Sequence, residues 1–330
     1  MSVNISFSIR TVFMVVLGLV ISPVLWATNF VDVQDIAAPT GASELIYSPN
    51  LHRLVVKNSS SAVMVIKLDS LAVRRHLANY NFTDMSVSPS GRYVFVADYG
   101  GENIGYGTPA NQSYVHRLDL KSGQWNVEKA YIAGNIQATS NDTLVLKSLD
   151  QWVTFTNNQW SAGDTLTTLN TSSGYWAPGY YAVVYNGNFR YDPKNGRLIH
   201  GNSGSSSQEI QAFRIVNNEF IKQEGTGTYG SAQGYGGSYA LSTDSSAFYY
   251  GRLCVDALDV SHTLRVFPEA IYAATGDVAF GNGKYYDAHT GALLGNLGFN
   301  ATVYGLNPAG SDFWVYDQSA NMLRHFVDMP

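Results

Sequence analysis

Four glycine-rich stretches hold most of the side chains with chemistry to offer. Residues 98–113 carry Tyr99, Glu102, Asn103 and Tyr106, and 162–180 carry Tyr175 and Trp176. Residues 201–208 carry Asn202, Ser205 and Ser206, and 224–238 carry Tyr229, Gln233 and Tyr235. Aromatic faces among amides and hydroxyls suit sugar rings or peptide side chains, because rigid rings offer contact area at low entropic cost and few charges must be desolvated. An acid/base alternative uses the same stretches. In it His200, directly before 201–208, is a general base beside Glu102, with Tyr106 or Tyr229 as the hydroxyl partner. Plainer readings compete with both. An isolated histidine at a strand end is ordinarily a hydrogen-bonded structural residue, and tyrosines in glycine-rich loops often pack against neighbouring elements.

Other chemistries lack their sequence context. None of the glycine-rich stretches carries the Lys-Ser/Thr of a phosphate loop or runs into a helical pattern. The histidines at 52, 76, 116, 200, 262, 289 and 325 show no paired-ligand spacing, so no metal site is read from them. There is no Gly-x-Ser-x-Gly elbow, and Gly204-Ser205-Ser206 alone does not make a serine nucleophile. Asp192-Pro-Lys-Asn-Gly196 has half the pattern of a calcium loop without its distal glutamate and reads as a turn. No cofactor signature is present.

The N-terminus reads as an address. A short, weakly basic segment ending at Arg10 precedes an apolar run from Thr11 to a small residue at Ala27, which is the pattern of a secretory signal peptide spanning 1–27. The run falls short of the roughly 20 residues that cross a bilayer, and Pro23 interrupts it. A secreted or periplasmic protein with no integral membrane span after cleavage is expected. The net charge of −5, with no basic stripe, argues against nucleic acid and anionic lipid as partners. The lone Cys254, inside Leu253-Cys254-Val255, cannot form an internal disulfide and reads as a small buried strand residue. Packing must therefore stabilise the fold.

That packing is organised by a repeat. In Asp84-Met-Ser-Val-Ser-Pro-Ser-Gly-Arg-Tyr-Val-Phe-Val-Ala-Asp98, alternating residues run into a Ser-Pro-Ser-Gly turn and then into β-branched and aromatic residues, so the segment reads strand, turn, strand. Variants start near residues 45, 136, 189, 239, 278 and 303. The third unit is expected to turn at 140–142 and to continue through 144–146 and 152–155, leaving 162–180 as its exit loop. Seven units after residue 27 average about 43 residues, the length of a four-stranded propeller blade. The seventh has three strands of its own, and residues 29–35 are placed to supply the fourth and close the ring.

Ser-Pro-x-Gly-Arg-Tyr-Val-Phe-Val-Ala-Asp-Tyr-Gly at 88–100, and the Ser-Pro segment with Ala-Val-Met-Val-Ile-Lys-Leu across 48–68, resemble the bacterial YVTN-type and lactonase-like seven-bladed β-propellers. The resemblance covers most of the chain after residue 27 as a repeat pattern. It implies an all-β, seven-bladed propeller of four-stranded antiparallel blades, one domain over 28–330, and it carries no catalytic residue onto a position here, because this superfamily hosts enzymes and binding scaffolds alike.

In such a meander the four long stretches emerge on one face, whereas the turns at 89–91, 193–196, 244–246 and 308–311 lie on the other and are short. The expectation is a monomeric module that binds a glycan, peptide or protein through the long-loop face. A lactone hydrolase or polysaccharide lyase on that face, and a structural component of the cell envelope, are the alternatives.

Overall fold

The computed structural model describes residues 29–39, 41–58, 62–77, 82–98, 113–130, 134–147, 154–156, 159–161, 166–170, 175–177, 187–202, 209–216, 219–226 and 237–329. After β1 (Asn29–Ala37), the first sheet is β2 (Ala42–Ser48), β3 (Arg53–Asn58), β4 (Val63–Lys67) and β5 (Ala72–Leu77). The second is β6 (Phe82–Val87), β7 (Tyr93–Asp98), β8 (Ser113–Asp119) and β9 (Trp125–Ala130). The third takes β10 (Asn135–Ala138) and β11 (Thr143–Lys147), passes a separate hairpin of β12 (Thr154–Thr156) and β13 (Gln159–Ser161), and resumes with β14 (Leu166–Asn170) and β15 (Tyr175–Ala177).

The fourth sheet is β16 (Gly187–Asp192), β17 (Arg197–Asn202), β18 (Ile210–Val216) and β19 (Glu219–Gly225). The fifth is β20 (Tyr239–Leu241), β21 (Ala247–Tyr250), β22 (Leu253–Asp256) and β23 (Thr263–Val266). The sixth is β24 (Ala273–Ala274), β25 (Val278–Phe280), β26 (Lys284–Asp287) and β27 (Leu293–Asn296). β28 (Tyr304–Leu306), β29 (Asp312–Asp317) and β30 (Met322–Met329) complete the series, with β1 antiparallel to β30 from Asn29↔Met329 to Ala37↔Met322.

All pairings are antiparallel, and the first strands of successive sheets pack against one another. This is an all-β propeller of four-stranded antiparallel blades. In six sheets side chains are described on all four strands, and in the third the outer two are described by backbone register alone.

The third sheet departs from the sequence expectation. Residues 154–156 belong to the inserted hairpin, and the sheet's outer strands come from 166–170 and 175–177, within the stretch expected to be an exit loop. The physical reason is that neither 152–155 nor Leu166-Thr-Thr-Leu-Asn170 alternates strictly while both carry β-forming residues, so pattern does not choose between them, and the short β12–β13 hairpin pairs with itself instead of joining the larger sheet.

Local chemistry sets the turns. Ser88 Oγ accepts the Tyr93 N–H at 3.1 Å, while Gly91 takes the left-handed backbone its turn needs, with φ of 71°. Aspartate starts three hairpins in the same manner. Asp119 Oδ1 accepts from Lys121 N, Asp287 Oδ1 from His289 and Thr290 N, and Asp317 Oδ1 from Ser319 and Ala320 N. The hydrogen bond from Arg92 is the largest influence holding the Asp119 carboxyl well below the usual range, and the amides of Lys121 and Ser122 add to it.

The core is a series of apolar clusters, each straddling two sheets. Val55 and Val65 meet Val94 and Val96; Phe95 meets Leu144; Val145 meets Leu198 and Phe213; and Ile199 meets Phe248. Tyr249 meets Tyr286, Phe280 meets Phe313, and Leu45 of the first sheet meets Trp314 of the last. Trp314 also stacks on His325 with ring centroids 4.6 Å apart. Cys254 is buried in the fifth-to-sixth cluster, and burial pushes its thiol up to about 11.

Candidate functional site

The register fixes which connections share an end of the propeller. The last residues of β3, β7 and β17 lie beside the first residues of β2, β6 and β16, as in Ala42↔Asn58, Phe82↔Asp98 and Gly187↔Asn202. Connections leaving the second strand of a sheet, and exits from the fourth, therefore open at one end, which we term the loop end. Connections 59–61, 99–112, 148–165 and 203–208 and the exits 178–186 and 226–238 open there. At the turn end, connections are closed by the serine and aspartate caps: Ser242 Oγ holds the N–H groups of Ser246 and Ala247, and Thr275 Oγ1 that of Val278.

Of the residues expected to form a site, Tyr99, Glu102, Asn103, Tyr106, Ser205, Ser206, Tyr229, Gln233 and Tyr235 lie outside the described residues. Tyr175 and Trp176 do not sit in a loop. They lie on β15, opposite Asn170 and Leu169, at the end of the sheet away from the connection that leaves its second strand. The long connection of that sheet is 148–165, which carries the β12–β13 hairpin.

His200 is the fourth of six residues in β17, opposite Phe189 and Gln211, and has no exposed surface. Asn202 ends the same strand, also buried, and its carbonyl accepts from the Tyr250 hydroxyl. Glu102 lies outside the described residues, and the acid that shares a sheet face with His200 is Glu209. Asn202 N–H donates to the Glu209 carbonyl at 2.9 Å, which carries the β17–β18 register on to Glu209. His200 and Asn202 on one strand, and Glu209 and Gln211 on the other, thus share one sheet face, all four buried, with the Gln211 amide donating to Glu209 Oε1. Leu198 and Phe213 extend that face against Val145 of the third sheet. Gly201 faces the other way, where a Cβ would meet the rings of Tyr250 and Tyr239 at 2.6 and 2.9 Å. The alternation His-x-Asn before the connection and Glu-x-Gln after it is visible in the sequence once both strands are given a period of two.

A second polar group sits at the loop end of the first two sheets. Lys57 Nζ lies 2.5 Å from Glu44 Oε1 and donates to the Thr83 carbonyl at 3.1 Å. Met85 N–H donates to Glu44 Oε2 at 2.7 Å, and Ile136 N–H to Asp84 Oδ2 at 2.9 Å. Burial raises both carboxyls, that of Glu44 to about 7 with Asp84 adding to the rise and Lys57 opposing it. Sequence reasoning missed this pair, although Glu44 and Asp84 each stand four residues before a Ser-Pro turn.

A third, at the root of connection 99–112, joins His116 Nε2 to Asp98 Oδ2 at 3.2 Å, with the Trp125 indole donating to His116 Nδ1 at 3.2 Å. Elsewhere His52 is held by Asp69 at 2.8 Å, His289 by Asp277 at 3.2 Å and His325 by Asp312 at 3.0 Å. Burial alone would raise Asp312, but hydrogen bonds led by that from His325 hold it well below the usual range. Among the described residues there is no cluster of three or more metal-ligating side chains, and no helix is long and apolar enough to cross a membrane.

No protein-family model and no curated protein matches the chain. Among solved structures it is similar to the β-propeller domain of Cps50 (Swd1) from Myceliophteria thermophila, with 10% identity, coverage of 91% of this chain and 100% of that one, and a TM-score of 0.49.

Proposed function

We propose that the chain is a secreted or periplasmic binding module, a single closed ring of seven blades with β1 as the closing strand, and that it recognises a glycan, peptide or protein at the loop end of its second to fourth sheets. The inequality of the two ends carries this reading. At the turn end side-chain caps close short turns, whereas the loop end of those sheets carries connections of up to 18 residues above buried polar groups at Asp98–His116 and His200–Glu209. Long connections on a rigid scaffold are where propellers and other repeat folds place recognition.

The engagement of His52, His116, His289 and His325 by aspartates, and the full burial of His200, favour recognition over acid/base chemistry, which needs a titratable group within hydrogen-bond reach of a ligand.

The test is binding of the 28–330 protein to a broad glycan array and to a peptide library, beside the Tyr106→Ala/Tyr235→Ala variant, with recovered ligands checked for cleavage. Binding that falls at least tenfold in the variant, with ligands intact, supports the module. Cleavage products would replace it with the enzyme reading, and undiminished binding would move the surface elsewhere.

A further inference from the structure

Glu44, Lys57 and Asp84 meet where the first and second sheets join. Glu44 on β2 and Asp84 on β6 occupy matching positions on adjacent first strands, and Lys57 faces Glu44 from β3. The Met85 N–H is shared: it donates to Glu44 Oε2 at 2.7 Å and to Asp84 Oδ1 at 3.0 Å. The remaining oxygens are also occupied, Glu44 Oε1 by Lys57 Nζ and Asp84 Oδ2 by the Ile136 N–H. Two carboxylates from different sheets are thus drawn to one amide, with a single ammonium between the sheets. Asp84 and Lys57 are buried and Glu44 is half-buried.

We propose that this junction is a proton-operated clasp, in which a proton taken up by Glu44 tightens the seam between the first and second sheets. With both carboxyls ionised, like charges face each other across a shared donor in a setting that water screens only in part. One proton removes that repulsion and leaves the Lys57 ammonium matched to one anion. The charged groups acting on the pair are Lys57 on β3 and Arg190 on β16, both opposing the rise.

The sign follows from linkage. Burial, then Asp84, lifts Glu44 from 4.5 to about 7, so between those values the folded chain holds a proton that the unfolded chain has released. The stabilisation is complete below about pH 4.5 and is lost as the pH rises through about 7. This inference is independent of the binding reading, since it concerns the seam and not the connections above it.

The experiment is thermal unfolding of the full chain across pH 4.5 to 8.5, wild type against Glu44→Gln, which fixes the side chain in a neutral form. Histidines and carboxylates outside the Glu44–Asp84 pair titrate in both proteins and cancel in the difference. The midpoint of the variant should gain on the wild type as the pH rises through the interval and then stay level. A difference independent of pH overturns the clasp. Asp84→Asn should move the wild-type transition to lower pH, and an unmoved transition counts against the proposal equally. Should Glu44→Gln not fold, hydrogen exchange of the wild type decides: protection of the Met85 amide, corrected for intrinsic rates, should fall at least about tenfold between pH 5 and pH 8, and constant protection overturns the clasp.

Discussion

The joints between the first four sheets and those between the last three combine apolar packing and side-chain-to-backbone bonds in different proportions. Along the inner strands of the first four, side chains reach across to the backbone of the next sheet: Glu44 to Met85 N, Asp84 to Ile136 N, Ser86 to Ala138 N and Gln137 to Tyr191 N. Between the fifth, sixth and seventh sheets aromatic rings meet in series, with the Tyr304 hydroxyl donating to the Gly281 carbonyl at 2.8 Å. Tyr249 meets Phe267 at 5.7 Å, Phe267 meets Tyr286 at 6.0 Å, and Phe280 meets Phe313 at 4.7 Å. The connections differ likewise. Sheets two to four open into 99–112, 148–165 and 203–208, whereas β21 and β22 are joined through Gly251 and Arg252 and β25 and β26 through 281–283.

The pairing of these traits has a physical basis. Aromatic burial is worth more than a neutral hydrogen bond, about 3 to 5 kcal/mol lost on truncation against about 1, so truncation at the ring-on-ring joints of the last three sheets is expected to cost more than loss of one bond between the first four. Directional bonds to backbone amides add to the apolar clusters in fixing the register of the first four, and this is the sector that carries the long connections.

The sharpest way to break the comparison is Phe313→Ala. Its ring is fully buried and lies 4.7 Å from Phe280, 4.8 Å from Phe30 and 5.3 Å from Phe326. Loss of about 3 to 5 kcal/mol is expected in denaturant unfolding, from transfer and cavity terms together. Because Phe30 belongs to β1, the same variant should raise exchange of the β1 amides; a loss below about 1 kcal/mol would remove the claim that aromatic packing dominates this half.

Next in size is Gly283→Ala. Gly283 has φ of 71°, and a Cβ there would run into the Phe299 carbonyl. Strain in the left-handed region and that collision together should cost about 2 kcal/mol or more. An equally small insertion at 203–208 should be close to neutral by the same measurement, since loop lengthening costs only tenths of a kcal/mol. Equal costs at the two places would erase the distinction between tight and elaborated connections.

How much of this could be read from the chain depends on whether the cause is local. The repeat and its turns were legible because Pro, Gly, Ser and Asp act within four or five residues, as at Ser88–Arg92 and Asp287–Gly291, and the structure keeps those hairpins where the pattern put them. The third sheet departs from the expectation because 152–155 and 166–170 are both rich in β-forming residues and neither alternates strictly, so only competition for the edge of β11 decides between them. Placement of Tyr175 and Trp176 failed with it. The Glu44–Asp84 pair required superposing two repeats, and the burial of His200 required knowing that Leu198, His200 and Asn202 turn toward the third sheet. Side chains that meet across blades leave no mark in one segment of sequence.

The smallest effect is the most diagnostic of the polar sector. Ser86→Ala removes the acceptor for the Ala138 N–H, a buried bond of 2.9 Å between the second and third sheets. The change leaves almost no cavity, so the cost is that of an unsatisfied buried donor, about 1 kcal/mol and a fall of about 1 to 2 °C in a domain of this size. Exchange of the Ala138 amide should accelerate, while amides of β25 and β29 keep their wild-type protection. If those distant amides accelerate together with Ala138, the whole ring opens as one cooperative unit, and the division into a wired half and a packed half describes the contacts alone and not the way the molecule comes apart.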